Sequence, residues 1–212
     1  MTGRRALPGW IITLWAGLLA GCGGILPGPN GEAMPVMYEL VPPTEFPADL
    51  PRVPWSLVVG RPDVMGALDS ANIAVRPEPF RIEYYADGRW TTAAPDMLHN
   101  HIVRSFQNTG LIAAVGRSAS ALDANHLLET DLVSFETIYP PGSGMPEVHV
   151  RIHANLLAIP GGSTLASRGF AAAARPQSPT LPHVIEAFDQ ATAEVVQNLI
   201  RWTLTTPGRG GA

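Results

Sequence analysis

The sequence predicts a single α+β domain within the broad α/β class: a largely antiparallel sheet with two main helices packed on it. Three observations predict this fold. Residues 147–159 alternate apolar and polar side chains, which is typical of a strand with one buried and one wet face. Residues 181–205 carry apolar side chains at steps of three and four, which indicates a helix buried along one stripe. Residues 95–109 show similar helical spacing in a shorter segment.

The first part of the domain is predicted to form short strands separated by proline and turn residues. These strands cover residues 36–40, 55–61, 72–76 and 80–85. Residues 41–54 hold five prolines and are predicted to be an irregular extended link. Asp87-Gly88 is a hairpin-turn signal, so we expect residues 89–91 to pair back on the preceding strand.

The first helix is predicted over residues 95–109. Pro95 suits a first helical turn, and Gly110 suits the position just after the last turn. The apolar stripe of this helix is Leu98, Ile102 and Phe106. A short strand is expected at residues 111–115, followed by a polar loop.

A long hairpin and a second helix complete the predicted domain. The hairpin arms are residues 126–139 and 147–159, and a third antiparallel strand is expected at residues 164–174. The predicted core side of the second arm consists of Val148, Val150, Ile152, Ala154 and Leu156. The stripe of the last helix, residues 181–205, consists of Val184, Phe188, Ala191, Val195, Leu199 and Trp202. We expect both helices on one face of the sheet.

Cys22 is the only cysteine of the chain and ends the tetrapeptide Leu-Ala-Gly-Cys. A start with Arg4-Arg5, an apolar run over residues 7–20 and small residues before the cut are typical of a secretory signal. A cysteine directly after the cut is typical of bacterial lipoproteins. We therefore expect cleavage between Gly21 and Cys22, with a diacylglycerol and an N-acyl chain on Cys22. The alternatives are an uncleaved membrane helix or a hydrophobic terminus with a chance cysteine.

The chain thus divides into four predicted parts. They are a signal peptide (1–21), an acylated flexible tether (22–35), the domain (36–205) and a disordered tail (206–212). Gly23, rather than aspartate, follows the cysteine. By the known sorting rule of diderm bacteria, this favours the periplasmic face of the outer membrane.

The charge balance argues against two kinds of partner. All fourteen basic residues are arginine, against eighteen acidic residues, so the net charge is −4. The predicted signal contains two of the arginines and no acidic residue, so the mature part holds twelve arginines and a net charge of −6. An acidic domain argues against nucleic acid or an anionic membrane surface as main partner.

No pattern in the sequence predicts catalysis or metal binding. His149 and His153 lie on one predicted strand, about 13 Å apart at ~3.3 Å per residue, and cannot share an ion unaided. Ser143 lies in a Pro/Gly hairpin loop rather than at a strand-to-helix elbow. Asp69, Asp131 and Asp189 stand singly and are expected at turns, surfaces or caps. We expect no enzymatic activity, no metal and no cofactor besides the acyl groups.

Aromatic residues are the only candidates for binding that the domain offers at this level. Tyr84, Tyr85 and Trp90 cluster around one predicted hairpin. One interpretation is that a tyrosine and Trp90 pack beneath the first helix, since aromatic residues favour half-buried sheets. The alternative is an exposed aromatic patch that grips a partner protein or a lipid chain.

Several segments together resemble the ABC-type transport auxiliary lipoproteins, which include the paraquat-inducible-type lipoprotein partner of MCE systems. The resemblance covers nearly all of residues 36–204, and its most specific piece is the Tyr-Tyr…Trp…Pro…Met-Leu run. The segments that carry it are residues 38–40, 68–73, 84–90, 95–98 and 187–189.

The resemblance implies a non-enzymatic, lipid-anchored component of an ABC-type intermembrane lipid transport system. It implies an MCE-domain periplasmic protein, with its inner-membrane permease and ATPase, as partners. Self-association into a homo-oligomer is also expected, because family members can form rings. The alternatives from different classes are a structural envelope-assembly lipoprotein without a transporter, and a periplasmic hydrolase.

Overall fold

Eight strands and two α-helices form this protein, as described by a computed structural model over residues 34–118, 124–159 and 161–206. This confirms the α+β class. The elements in chain order are β1 Val36–Tyr38, β2 Val53–Val59, β3 Asn72–Glu78, β4 Arg81–Trp90, α1 Ala94–Thr109, β5 Ile112–Gly116, β6 His126–Ile138, β7 Glu147–Ala158, β8 Ser163–Ala174 and α2 Leu181–Thr205. A single 3-10 turn, Gly66–Leu68, precedes β3.

The sheet is built around β6. One side of β6 pairs antiparallel with β7 from His126 to Ile138, and β7 pairs antiparallel with β8. The other side is shared: β2 pairs with the start of β6 and β3 with its end, both in parallel. The longest pairings are thus antiparallel, but the sheet as a whole is mixed. Parallel pairing joins strands that are far apart in sequence, and local alternation carries no signal for it.

Because two strands share one side of β6, the sheet forks there. After β2 the chain continues along β6, where the Gly60 N–H donates to the Leu128 carbonyl at 2.8 Å. The Asp63 N–H donates to the carbonyl of Thr130 at 2.8 Å, and the Leu132 N–H donates to the carbonyl of Asp63 at 2.7 Å. The chain then leaves β6, and β3 pairs with the last part of β6 instead.

Both helices pack on one core. Pro95 lies in the first turn of α1, and Gly110 ends it with φ of 62°, as predicted. The predicted stripe of α2 is buried except for Trp202, which is partly exposed but packs against the core. No helix within the described residues is both long enough and apolar enough to cross a membrane.

The predicted hairpin at Asp87-Gly88 is wrong. β4 runs unbroken from Arg81 to Trp90, and the turn lies earlier, at Pro79 and Phe80, where Phe80 has φ of 71°. Gly88 serves close packing instead: a Cβ there would lie 2.5 Å from Leu181 Cδ2 and 2.7 Å from Tyr38 Cε2. The glycine lets β1 and the start of α2 approach β4.

Candidate docking surface

The three aromatic residues singled out in the sequence take different positions. Trp90 is fully buried, with ring centroids 5.5 Å from Phe135 and 5.2 Å from Phe188. The ring contact with Phe188 shows that α2 packs on Trp90, whereas the expectation named the first helix. Tyr85 is half-buried, and burial raises the pKa of its hydroxyl to about 12. Tyr84 is 42% exposed on the outer side of the sheet.

Tyr84 contacts a segment that borders a surface which the sequence did not reveal. Its hydroxyl donates to the carbonyl of Ala67 at 3.2 Å, in the segment that follows the fork of the sheet. Beside this segment lies an open cleft of about 560 Å³. We call it the fork cleft; its lining residues are Asp63, Val64, Met65, Leu68, Asp131, Leu132 and Val133.

Two exposed apolar side chains stand in the fork cleft. Met65 is 91% exposed and Val133 is 51% exposed. Val133 lies on the same exposed side of β6 as Glu129 and Asp131, and it is the unpaired residue where the register against β7 shifts between Leu132 and Ser134. The bulge reverses the alternation after Val133, so that Phe135 is buried. Met65 and Val133 together therefore give the cleft exposed apolar surface.

The loop that carries Met65 is held at several points. Arg61 donates to Asp69 at 3.0 Å across the base of the loop, and to Asp96 of α1 at 2.5 Å. Asp63 is bonded to β6 by its backbone, and Tyr84 holds Ala67 from the other side. These bonds order the loop before any partner arrives. A preordered surface loses less conformational entropy on binding.

The charge at the rim of the fork cleft is negative. Asp63 and Asp131 are bridge partners in neighbouring chain segments, and both are exposed. Asp131 is thus a surface residue, as the sequence predicts. An apolar cleft with two carboxylates at its rim suits an aliphatic or aromatic side chain that is flanked by a basic residue.

Two serine–histidine contacts bear on the hydrolase alternative. Ser167 donates its hydroxyl proton to Asn155 Oδ1, and His153 Nε2 lies 3.0 Å from Ser167 Oγ. The Ser167 proton is thus directed to an amide oxygen rather than to the imidazole that a nucleophilic serine would need as its base. Ser178 Oγ lies 2.7 Å from His183 Nδ1, where it joins Thr180 before the first turn of α2. No carboxylate in the described part of the chain is bonded to His183 to orient it as a base.

The histidines do not form a metal site within the described residues. His149 and His153 lie on β7, as predicted, with His149 facing Glu136 in the pairing and His153 facing Asp131. The buried set of β7 is the one that the alternation predicts. Cys22, Gly21 and the signal peptide lie outside the described residues, as do residues 22–33 of the tether and residues 207–212 of the tail.

Comparison with known families identifies the class of this protein. The profile described as "ABC-type transport auxiliary lipoprotein component" matches residues 38–199. The chain therefore belongs to this family, as the resemblance indicated. A comparison with curated protein sequences finds no match.

Solved structures agree with this assignment. The crystal structure of protein XCC0632 from Xanthomonas campestris is 33% identical, with a TM-score of 0.76, and the match covers 81% of this chain and 95% of that one. A second crystal structure, of an uncharacterized protein, is 16% identical with a TM-score of 0.63 and covers 80% and 98% of the two chains. At that identity the second match supports the fold only.

Proposed function

We propose that this protein is a non-enzymatic docking component of an MCE-linked intermembrane lipid transport system. It is anchored to the periplasmic face of the outer membrane by the acyl groups on Cys22. The observation that carries this proposal is the family match over residues 38–199, together with a lipoprotein signal that ends at Cys22. Neither observation depends on the other: the signal predicts a lipoprotein, and the family match adds a role in transport.

The anchor and the domain have separate tasks in this proposal. Each buried methylene contributes about 0.8 kcal/mol, so two or three acyl chains on one residue hold the domain firmly at the membrane. The tether, residues 22–35, is rich in glycine and proline and lets the domain extend away from the membrane surface. The domain receives the end of the MCE protein that approaches from the inner membrane.

The fork cleft is the surface that we assign to this contact. It offers exposed Met65 and Val133 on an ordered loop and a bulge, with carboxylates at its rim. Methionine is an adaptable contact residue, because its unbranched side chain fills irregular gaps. The partner segment is expected to bring an apolar side chain beside arginine or lysine.

The experiment that tests the proposal is recovery of partners from the native membrane. The full-length protein with a C-terminal affinity tag is expressed from its own promoter, solubilised in mild detergent and captured. We expect an MCE-domain protein, with its permease and ATPase, in the captured fraction. A β-barrel protein or peptidoglycan in their place would favour the structural envelope lipoprotein, and the transport assignment would fall.

Labelling with radioactive palmitate tests the anchor in the same strain. We expect label in the wild-type protein, and none in Cys22→Ala, because the thiol is the acceptor. The Cys22→Ala protein should also leave the outer-membrane fraction. Equal labelling of both proteins would contradict the anchor while leaving the partner test intact.

A further inference from the structure

The far edge of the sheet carries a second surface that the docking function does not use. Among the described residues, β8 pairs with β7 only, so its other side is a free strand edge of 12 residues, from Ser163 to Ala174. Alternate residues along such an edge direct an N–H and a C=O outward, unpaired. Strand edges in soluble proteins are usually short or blocked by proline, lysine or a covering segment.

Within the described part of the chain, β8 lacks these protections. It contains no proline and no lysine, and its only charged residue is Arg168. Its last six residues, 169–174, consist of a glycine, a phenylalanine and four alanines. These small side chains leave the backbone of the edge accessible. An edge of this length and composition accepts an added strand more readily than a short, charged one.

A groove runs beside the edge, between β8 and the last turns of α2. Its volume is about 320 Å³, and its aromatic part is formed by Phe170 and Trp202, whose ring centroids are 5.6 Å apart. Trp202 is the residue of the α2 stripe that stays partly exposed, and it lines this groove. A side chain from an added strand would pack on this ring pair.

The charge of the groove favours an acidic side chain next to the apolar one that packs on Phe170 and Trp202. The Arg168 guanidinium lies 5.5 Å from the Phe170 ring centroid and has no carboxylate partner in the described part of the chain. Arg201, on the α2 side, is bonded to exposed Asp49 at 2.8 Å. Arg168 is therefore the cation of the groove that is free to bind an anion. It lies two residues from Phe170, so both side chains point to the same face of β8.

We propose that the edge of β8 binds an extended segment of a different polypeptide as a ninth strand. The segment places an apolar side chain on Phe170 and Trp202, and a carboxylate two residues away on Arg168. Backbone hydrogen bonds supply the pairing, and the two side-chain contacts select the sequence. This inference depends neither on the fork cleft nor on the identity of the transporter.

A second copy of this chain suits the edge less well. β8 contains no acidic residue, so another β8 brings no carboxylate to Arg168. Arg168 is also near the middle of the strand, so two antiparallel β8 strands that overlap fully would bring their Arg168 side chains close together. Like charges at such cross-strand positions are destabilising.

Selection from a displayed library of 12-residue peptides tests the proposal on the full-length protein in detergent. We expect the enriched peptides to alternate an acidic and an apolar residue at two-residue spacing. Arg168→Glu should weaken their binding about tenfold or more, the range for one charge-assisted contact. Arg52→Glu is the matched control, because Arg52 is exposed at the opposite end of the sheet and lines no part of this groove. It should bind the peptides as the wild type does.

Methylation of alternate backbone nitrogens in a selected peptide tests strand addition itself. One alternate set should lose binding about tenfold and the other set should not, because only one set faces β8. Equal effects of the two sets would overturn strand addition. Enrichment of no acidic peptide, or unchanged binding to Arg168→Glu, would overturn the proposed chemistry. A peptide that lowers the native mass of the protein would show that a second copy occupies the edge, and would overturn the choice of partner.

Discussion

At the scale of single residues, His101 is the most unusual side chain of the core. It lies on α1, is 2% exposed, and neither ring nitrogen has a hydrogen-bond partner among the described residues. Burial lowers the pKa of His101 to about 4, from an ordinary value of 6.5. The neutral ring is therefore the form that the fold accepts, and an unpaired buried polar group costs about 1–3 kcal/mol.

The pH dependence of stability should follow from this residue. In the unfolded chain His101 takes up a proton near pH 6.5, but in the folded chain only near pH 4. The free energy of unfolding should therefore fall as the pH falls between these values, by about 3 kcal/mol from His101. His101→Leu should flatten this slope and leave the protein at least as stable at neutral pH.

Urea unfolding at pH 7 and pH 4 measures both effects. Burial also lowers the pKa of His99 and His126, so part of the slope remains in the variant. An identical slope in His101→Leu and the wild type would contradict the assignment.

At the scale of elements, three of them meet at one glycine. β1 pairs in parallel with the end of β4, where Val36 is opposite Gly88. The first residue of α2, Leu181, packs on the same position, and a Cβ would have to lie 2.5 Å from it. The junction matters because it joins the start of the domain to the helix that covers Trp90. Asp189 of α2 adds a further tie, by accepting the N–H of Val41 at 2.8 Å.

Gly88→Ala should therefore destabilise the domain. Overpacking of a close contact costs about 1–3 kcal/mol, and Tyr38 and Leu181 must both shift. Gly144→Ala is the control, because a Cβ at Gly144 meets nothing within 4 Å. It should change the free energy of unfolding by less than about 0.5 kcal/mol. Urea titration of both variants measures this, and equal stability of the two would refute the packing role of Gly88.

At the scale of the whole molecule, the sheet presents two surfaces at different places. The fork cleft opens where β2 and β3 share one side of β6, and the groove of β8 lies at an edge, beyond β7. Their chemistry also differs, because the fork cleft has carboxylates at its rim and the groove has a free arginine. We therefore expect the two surfaces to favour partner segments of opposite charge.

The fork cleft makes a prediction about the transporter. Met65→Glu places a charge in the apolar cleft beside Asp63 and should weaken capture of the MCE protein about tenfold or more, as for a contact worth 1.4 kcal/mol. Met37→Glu is the matched control, since Met37 is 54% exposed and lies on β1. It should capture the partner as the wild type does. Equal capture by both variants would exclude the fork cleft as the docking surface while leaving the family assignment in place.

Much of the fold could be predicted because its signals are local. The bounds of α2 agree with the predicted helix, since its period of three and four continues from Leu181 to Thr205. The β6–β7 hairpin and the buried side of β7 also agree with the prediction, because a short loop joins the two strands and their residues pair in sequence order. The Asp87-Gly88 turn failed because glycine serves both turns and close packing, and only the neighbours of Gly88 distinguish the two.

The sequence by itself determined the periodic elements, the absence of a recognisable catalytic motif, and the family to which the chain belongs. The tertiary structure alone decided that β2 and β3 share one side of β6, that exposed Val133 lies beside Met65 in one cleft, and that β8 ends the described sheet. These features depend on which distant segments pair, as Leu57 does with His126. Pairing between such distant segments is selected by the whole core, and no local pattern encodes it.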